Sequence, residues 1–151
     1  KKWRTKMKKY LIWSLIFAIA GLLAGVYYRE FSKIMGLEGQ YTALNGVHVH
    51  FLALGVIGML VFGLVTTRLN ATGVLSKLSF LFFVIGTAGT GVMLITRGTM
   101  QMTELAGGGF LTSSLNGMVS GIAGVFHVVL AAGIILTIIS WIKACNKKEA
   151  K

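Results

Sequence analysis

The chain of 151 residues contains no proline, no aspartate and a single cysteine. One cysteine, Cys145, excludes an intrachain disulfide, and we interpret it as a bystander rather than an acylation site. The shortage of carboxylates makes a hydrolase difficult to assemble, because general acid–base chemistry needs positioned acidic groups. No Walker or dinucleotide-binding motif is present. With 55% hydrophobic and only 13% charged residues, the composition indicates a membrane protein.

Four apolar runs are each long enough to cross a hydrocarbon core about 30 Å thick. They cover approximately residues 8–28, 47–67, 75–96 and 117–142. We expect all four to be helices, because unpaired backbone groups are not tolerated in lipid. The links between them are short, so the sequence predicts one integral domain over residues 1–151. The expected fold class is all-α, a four-helix transmembrane bundle in the cell membrane.

The net charge of +11 follows mostly from topology. In a four-span arrangement the basic residues divide twelve against three between the two sides. The smaller set is Arg29, Lys33 and Arg97; the larger is Lys1, Lys2, Arg4, Lys6, Lys8, Lys9, Arg68, Lys77, Lys143, Lys147, Lys148 and Lys151. This positive-inside bias predicts cytoplasmic N and C termini, with the lipid bilayer as the partner of the basic groups. No basic-aromatic module indicates nucleic-acid binding.

Two of the three histidines, His48 and His50, open the second span. Polar side chains in hydrocarbon are costly and usually face a protein interior, where they bind an ion, a cofactor or each other. At about 100° per residue the two imidazoles point roughly 200° apart and cannot share one partner. Gly55, Gly58 and Gly63 cluster roughly on the His48 side, which favours His48 facing inward. If the helix begins late, His50 is instead the first helical imidazole.

The third histidine, His127, shares a face of the fourth span with Ser120, Gly124 and Ala131. We expect this small-residue face, and His127 with it, to be buried in protein. Counted from the cytoplasmic ends, His50, His48 and His127 lie at heights of roughly 27, 30 and 24 Å. The three imidazoles are therefore expected at similar depth in the outer half of the bundle.

Two level imidazoles on different helices, flanked by glycines, are what the axial ligation of a b-type haem requires. Arg29 and Arg97 stand at the outer boundary, where they would pair with the two haem propionates. The leading hypothesis is therefore a haem-binding membrane protein used for electron transfer or haem handling, with a redox or transporter protein as its partner. The histidines are expected to be the axial ligands.

Two alternatives stay open. Zinc or copper would use His48, His50 and His127, with Met93, Met100, Met102 or Met118 as soft ligands suited to Cu(I). Alternatively the histidines only form hydrogen bonds between helices, and the chain is a non-catalytic accessory or assembly subunit. Enzymatic activity is not indicated. Transport by a four-span chain would require a homo-oligomer, and no charged residue lies at the midplane to mark an ion path.

Several segments together resemble a known family. They are Tyr28-Arg29-Glu30-Phe31, His48-Val49-His50, Arg97-Gly98 and the stretch from Ser120 to His127. The chain resembles a family of small four-span bacterial membrane proteins of unknown function, and the resemblance covers most of its length. It implies a four-helix membrane fold and no particular activity. The His-x-His segment is also loosely similar to segments of haem-copper oxidase subunit I relatives, but the other metal ligands of an oxidase are absent.

Overall fold

Four long helices make up the protein in a computed structural model that describes residues 2–109 and 111–149. They are α1 (Lys2–Ile34), α2 (Ala43–Arg68), α3 (Val74–Leu105) and α4 (Ser113–Glu149). Each is long and apolar enough to cross a membrane, and each contains one of the four predicted spans. The predicted all-α, four-helix fold is confirmed. Lys1 and Lys151, counted among the basic residues, lie outside the described residues.

Consecutive helices run antiparallel. One end of the bundle, called the inner end after the predicted topology, carries the start of α1, the turn between α2 and α3, and the end of α4. The opposite end, called the outer end, carries the links from α1 to α2 and from α3 to α4. The second of these links is shorter than the sequence indicated, because α3 continues through Met100 and Met102 to Leu105. The break comes at the glycines that follow Ala106, where Gly107 has a φ of 90°.

Helix α2 changes its winding along its length. A 3₁₀ turn (Ala43–Gly46) leads into an α-helical turn (Val47–His50), then a π-helical segment (Phe51–Gly58), and finally an α-helix (Met59–Arg68). Nothing in the hydrophobic pattern predicted the π segment. A π-helix turns each residue through a smaller angle than an α-helix does. The segment therefore determines how His48 and His50 are oriented relative to the inner half of α2.

The start of α2 is fixed to α1 by hydrogen bonds. The Asn45 side chain accepts from the Thr42 backbone N–H at 2.8 Å, and its amide donates to the Tyr28 hydroxyl at 2.8 Å. Such side-chain bonds satisfy backbone groups that a helix leaves unpaired at its N-terminus. These bonds therefore fix the position of His48 and His50 along the bundle relative to α1.

Small residues allow α1 and α2 to pack closely. A Cβ placed on Gly55 would lie 2.5 Å from Phe17 Cβ, and one on Gly63 would lie 2.6 Å from Tyr10 Cβ. His48 faces the same helix, since its Cβ is 3.7 Å from the equivalent position at Gly25. The prediction that Gly55 and Gly63 share a face with His48 is confirmed. It was wrong for Gly58, which faces α3, where a Cβ on it would lie 3.1 Å from Phe83 Cζ.

Helices α3 and α4 meet backbone to backbone. A Cβ on Gly86 would come within 2.5 Å of the Leu130 backbone, and one on Gly133 within 2.5 Å of the Phe83 nitrogen. At the inner end, Trp141 joins α4 to α2, donating from Nε1 to the Thr66 hydroxyl at 2.9 Å. Most of α4 is exposed, since only 17% of its most apolar 18-residue segment is buried inside the protein.

Candidate functional site

The two histidines of α2 face different helices, as their spacing predicted. His48 packs against Gly25 of α1, and its Nδ1 atom is buried without a hydrogen-bond partner among the described residues. His50 reaches α3, where its Nε2 lies 3.3 Å from the Thr87 carbonyl oxygen. A carbonyl only accepts, so Nε2 must carry the proton of this bond. The sequence left open which of the two faces inward. Both side chains are half-buried, so both histidines do.

His127 is exposed, which contradicts the expectation that it would be buried on a small-residue face. A Cβ on Gly117, Gly121 or Gly124 would meet nothing within 4 Å, so no helix of the described chain covers that part of α4. The expectation was wrong because bulky residues, Phe126 and Leu130, make the contact with α3, and the small residues that they meet are on α3 itself. The glycines that mark this interface are Gly86 and Gly89, with Gly133 the one on α4.

The imidazole of His127 is nonetheless held in a defined orientation. Its Nδ1 lies 2.9 Å from the carbonyl oxygen of Ala123, one turn earlier in α4. Nδ1 must donate in this bond, which leaves Nε2 unprotonated and free to accept a bond or to ligate a metal. Axial and metal-ligating histidines commonly have this arrangement, because the second bond fixes the tautomer and the ring orientation.

His50 and His127 lie beside the same stretch of α3. His50 contacts Thr87, and His127 directly follows Phe126, which packs on Gly89. On α4, His127 is two heptads from Trp141 and so lies on nearly the same side, the side that turns towards α2. The structure thus brings His50 and His127 into one region and turns His48 away from it towards α1.

The two arginines differ in their surroundings. Arg29 is at the surface, with 72% of its side chain exposed and its Nε 3.6 Å from Glu30. Arg97 is half-buried, and its Nε is enclosed without a partner among the described residues. It lies on α3 seven residues beyond Thr90, two turns nearer the outer end. Of these two arginines, Arg97 is therefore the one whose Nε–H donor is buried and unpaired.

Two threonines of α3 also belong to this region, although neither was predicted from the sequence to have a role. Thr87 and Thr90 are fully buried, and neither hydroxyl has a partner among the described residues. Thr96 and Thr103 on the same helix behave differently, because each donates to the carbonyl four residues earlier. Buried hydroxyls are usually satisfied. A signal was available only for Thr90, whose spacing of seven residues places it on nearly the same face of α3 as Arg97.

The potential metal ligands do not converge. Within the described residues, no group of three or more His, Cys, Asp or Glu side chains could hold a metal ion. Met102 is fully buried in the core, whereas Met118 is exposed on α4. The arrangement offers a pair of imidazoles, one with a free Nε2, and buried hydroxyls on α3. The unpaired guanidinium nitrogen of Arg97 lies farther along α3 towards the outer end.

The fold and this polar region define the class: a four-helix membrane protein with an imidazole pair in the outer half of its bundle. Residues 7–144 match the model of a family described as protein of unknown function (DUF2871), and the chain belongs to that family. No curated protein and no solved structure matches the chain.

Proposed function

We propose that this protein is a multi-pass protein of the cell membrane, with cytoplasmic termini, that binds b-type haem between the outer halves of α2 and α4. His50 and His127 are the axial ligands in this proposal, and Arg97 pairs with a propionate. Bound haem supplies one-electron redox chemistry, which suits electron transfer or haem handling. The cytoplasmic placement of the termini rests on the charge asymmetry of the sequence.

The observation that carries the proposal is the state of His127. Its ring is exposed on the side of α4 that turns towards α2, its Nδ1–H is bonded to Ala123, and its Nε2 is free. An isolated imidazole on a membrane-spanning helix is costly unless it has a partner. A haem iron level with His50 would provide that partner.

The residues fit the group with one adjustment. His50 has to release the Thr87 carbonyl, and its ring proton has to move from Nε2 to Nδ1, before Nε2 can ligate. At 3.3 Å the bond to Thr87 is longer than most N–H···O bonds and so is easily exchanged. His48 has no ligating role in this arrangement, since it packs on α1. Arg97 can donate its unpaired Nε to a propionate, whereas the exposed Arg29 is already beside Glu30.

The test is absorbance of the full chain purified from haem-supplied cells. We expect a sharp Soret band with α and β bands on reduction, the spectrum of bis-histidine haem. His127→Ala and His50→Ala should each abolish it, and His48→Ala should keep most of it. His48→Ala is the matched control, because it removes a half-buried imidazole from the same helix end as His50.

Helical circular dichroism and the melting temperature of each variant separate loss of haem from loss of fold. Colourless wild-type protein from haem-sufficient cells would overturn the haem proposal. A His127→Ala variant that retained full haem would show that the axial ligands have to be sought elsewhere.

A second candidate is a non-catalytic accessory or assembly subunit. The bond from His50 Nε2 to the Thr87 carbonyl favours it, because that bond joins α2 to α3 without any ligand. In this case His50→Ala lowers the melting temperature of the colourless protein, while His127→Ala, whose bond stays within α4, leaves it unchanged.

A further inference from the structure

A cavity of about 410 Å³ opens at the inner end of the bundle, far from the histidines. One wall is the turn between α2 and α3, and the other is the last part of α4. The lining residues are Leu69, Asn70, Ala71, Thr72, Leu75, Ser140, Lys143, Ala144 and Lys147. The cavity therefore combines apolar walls with hydroxyl, amide and ammonium groups.

The turn that forms the first wall is held in place by the backbone. The Ala71 N–H donates to the Thr66 carbonyl at 3.0 Å, and Asn70 has a left-handed φ of 53°, which asparagine tolerates better than most residues. Thr66 also accepts the hydrogen bond from Trp141 of α4. Thr66 thus connects the turn to α4 near the cavity. The two walls of the cavity are therefore fixed relative to each other.

The cavity has a strong excess of positive charge. Lys143 and Lys147 are four residues apart and so lie on one face of α4. Lys6 adds a third ammonium at the rim, where its Nζ donates to Asn70 Oδ1 at 2.8 Å. Within the part of the chain that the structure describes, the ion pairs involve Glu30, at the outer end, and none reaches these lysines. The charge is therefore available to an anionic ligand.

We propose that this cavity binds the phosphate headgroup of an anionic phospholipid from the leaflet at this end of the bundle. Basic pockets between membrane helices recognise such headgroups through charge. Lys143 and Lys147 would contact the phosphate, and Thr72 and Ser140 lie nearby as hydroxyl donors. Leu69, Leu75 and Ala144 supply the apolar surface that a lipid can use and that a free phosphate ion cannot. The proposal is independent of haem binding.

The experiment is native mass spectrometry of the full chain in detergent, titrated with phosphatidylglycerol or with phosphatidylcholine of the same acyl chains. We expect one phosphatidylglycerol to be retained at concentrations where phosphatidylcholine is not. The double variant Lys143→Gln, Lys147→Gln should weaken that binding roughly 30-fold, since each lysine near a lipid surface accounts for about a fivefold change in affinity.

The matched control is Lys8→Gln, Lys77→Gln, which removes the same charge from exposed positions near the inner end that do not line the cavity. It should change the affinity less than twofold. Equal weakening in the two double variants would overturn the site in favour of diffuse attraction. Competition by inorganic phosphate at concentrations matching the lipid would also overturn it, because the ligand would then be a soluble anion. Ala144→Phe, which fills the cavity and keeps every charge, should weaken binding as well.

Discussion

At the scale of single residues, the direction of a hydrogen bond decides which imidazole nitrogen is available. His127 donates from Nδ1 to its own helix and so presents Nε2 outward. His50 donates from Nε2 to a neighbouring helix and so has that nitrogen occupied. The two residues are chemically identical, yet one is prepared to receive a ligand and the other must first give up a bond. Under the proposed function, this asymmetry predicts that His127 can ligate as it stands, whereas His50 has to give up its bond to Thr87 first.

Arg97 provides a prediction at the same scale. Arg97→Gln should weaken haem retention roughly 10-fold or more, because a hydrogen bond to a charged group contributes about 1.5–3 kcal/mol. Haem loss to apomyoglobin, followed by absorbance, measures the effect. Arg29→Gln is the control, and since that side chain is 72% exposed and paired with Glu30, we expect its haem loss to match the wild type. Equal loss in both variants would remove Arg97 from the proposed site.

At the scale of elements, the π-helical segment Phe51–Gly58 separates two halves of α2 that serve different purposes. The inner half packs Phe62 against Trp141 of α4, with ring centroids 6.1 Å apart. The outer half carries His48 to α1 and His50 to α3. π-helical turns occur frequently at functional sites. Because the π segment changes the angle per residue, the contact faces of the two halves are rotated relative to each other by a different angle than in a continuous α-helix. Both halves can therefore keep their contacts.

The contact between α3 and α4 leads to a second prediction. Gly86→Leu should destabilise the protein by about 1–3 kcal/mol or more, because the added side chain meets the Leu130 backbone and the core cannot accommodate it. Thermal unfolding in detergent, followed by circular dichroism, measures the change. Gly121→Leu on α4 is the control, since nothing lies within 4 Å of its Cβ position. An unchanged melting temperature for Gly86→Leu would mean that the two helices do not meet there.

At the scale of the whole molecule, the positive-inside bias leads to a prediction about orientation. Cys145 is exposed near the end of α4 and should be shielded from a membrane-impermeant thiol reagent in intact cells. In a Cys145→Ser background, Gly108→Cys in the link between α3 and α4 should react without permeabilisation. As a control, both thiols should react once the cells have been permeabilised. The opposite pattern would invert the topology and place the imidazole pair in the cytoplasmic half.

Much of the fold could be predicted from the sequence, because the bilayer imposes length and hydrophobicity on each helix separately. The four spans, their helical state and the divergence of His48 from His50 need only a count of apolar residues and the angle per residue. Two of the three α2 glycines also identified the face that meets α1, namely Gly55 and Gly63, whereas Gly58 meets α3. These are properties of one helix at a time.

The environment of each histidine was decided by tertiary structure. Small residues indicate close approach only where another helix is present, and the stripe around Gly124 has none, so His127 is exposed. The π segment, the bond from His50 to Thr87 and the unpaired hydroxyls of Thr87 and Thr90 arise from how α2 and α3 fit together. The basic cavity likewise needs the α2–α3 turn to meet α4, two segments far apart in the chain. Periodicity within one helix carries no information about which neighbour covers a face, and that is the physical reason why the sequence predicted the helices and not the sites between them.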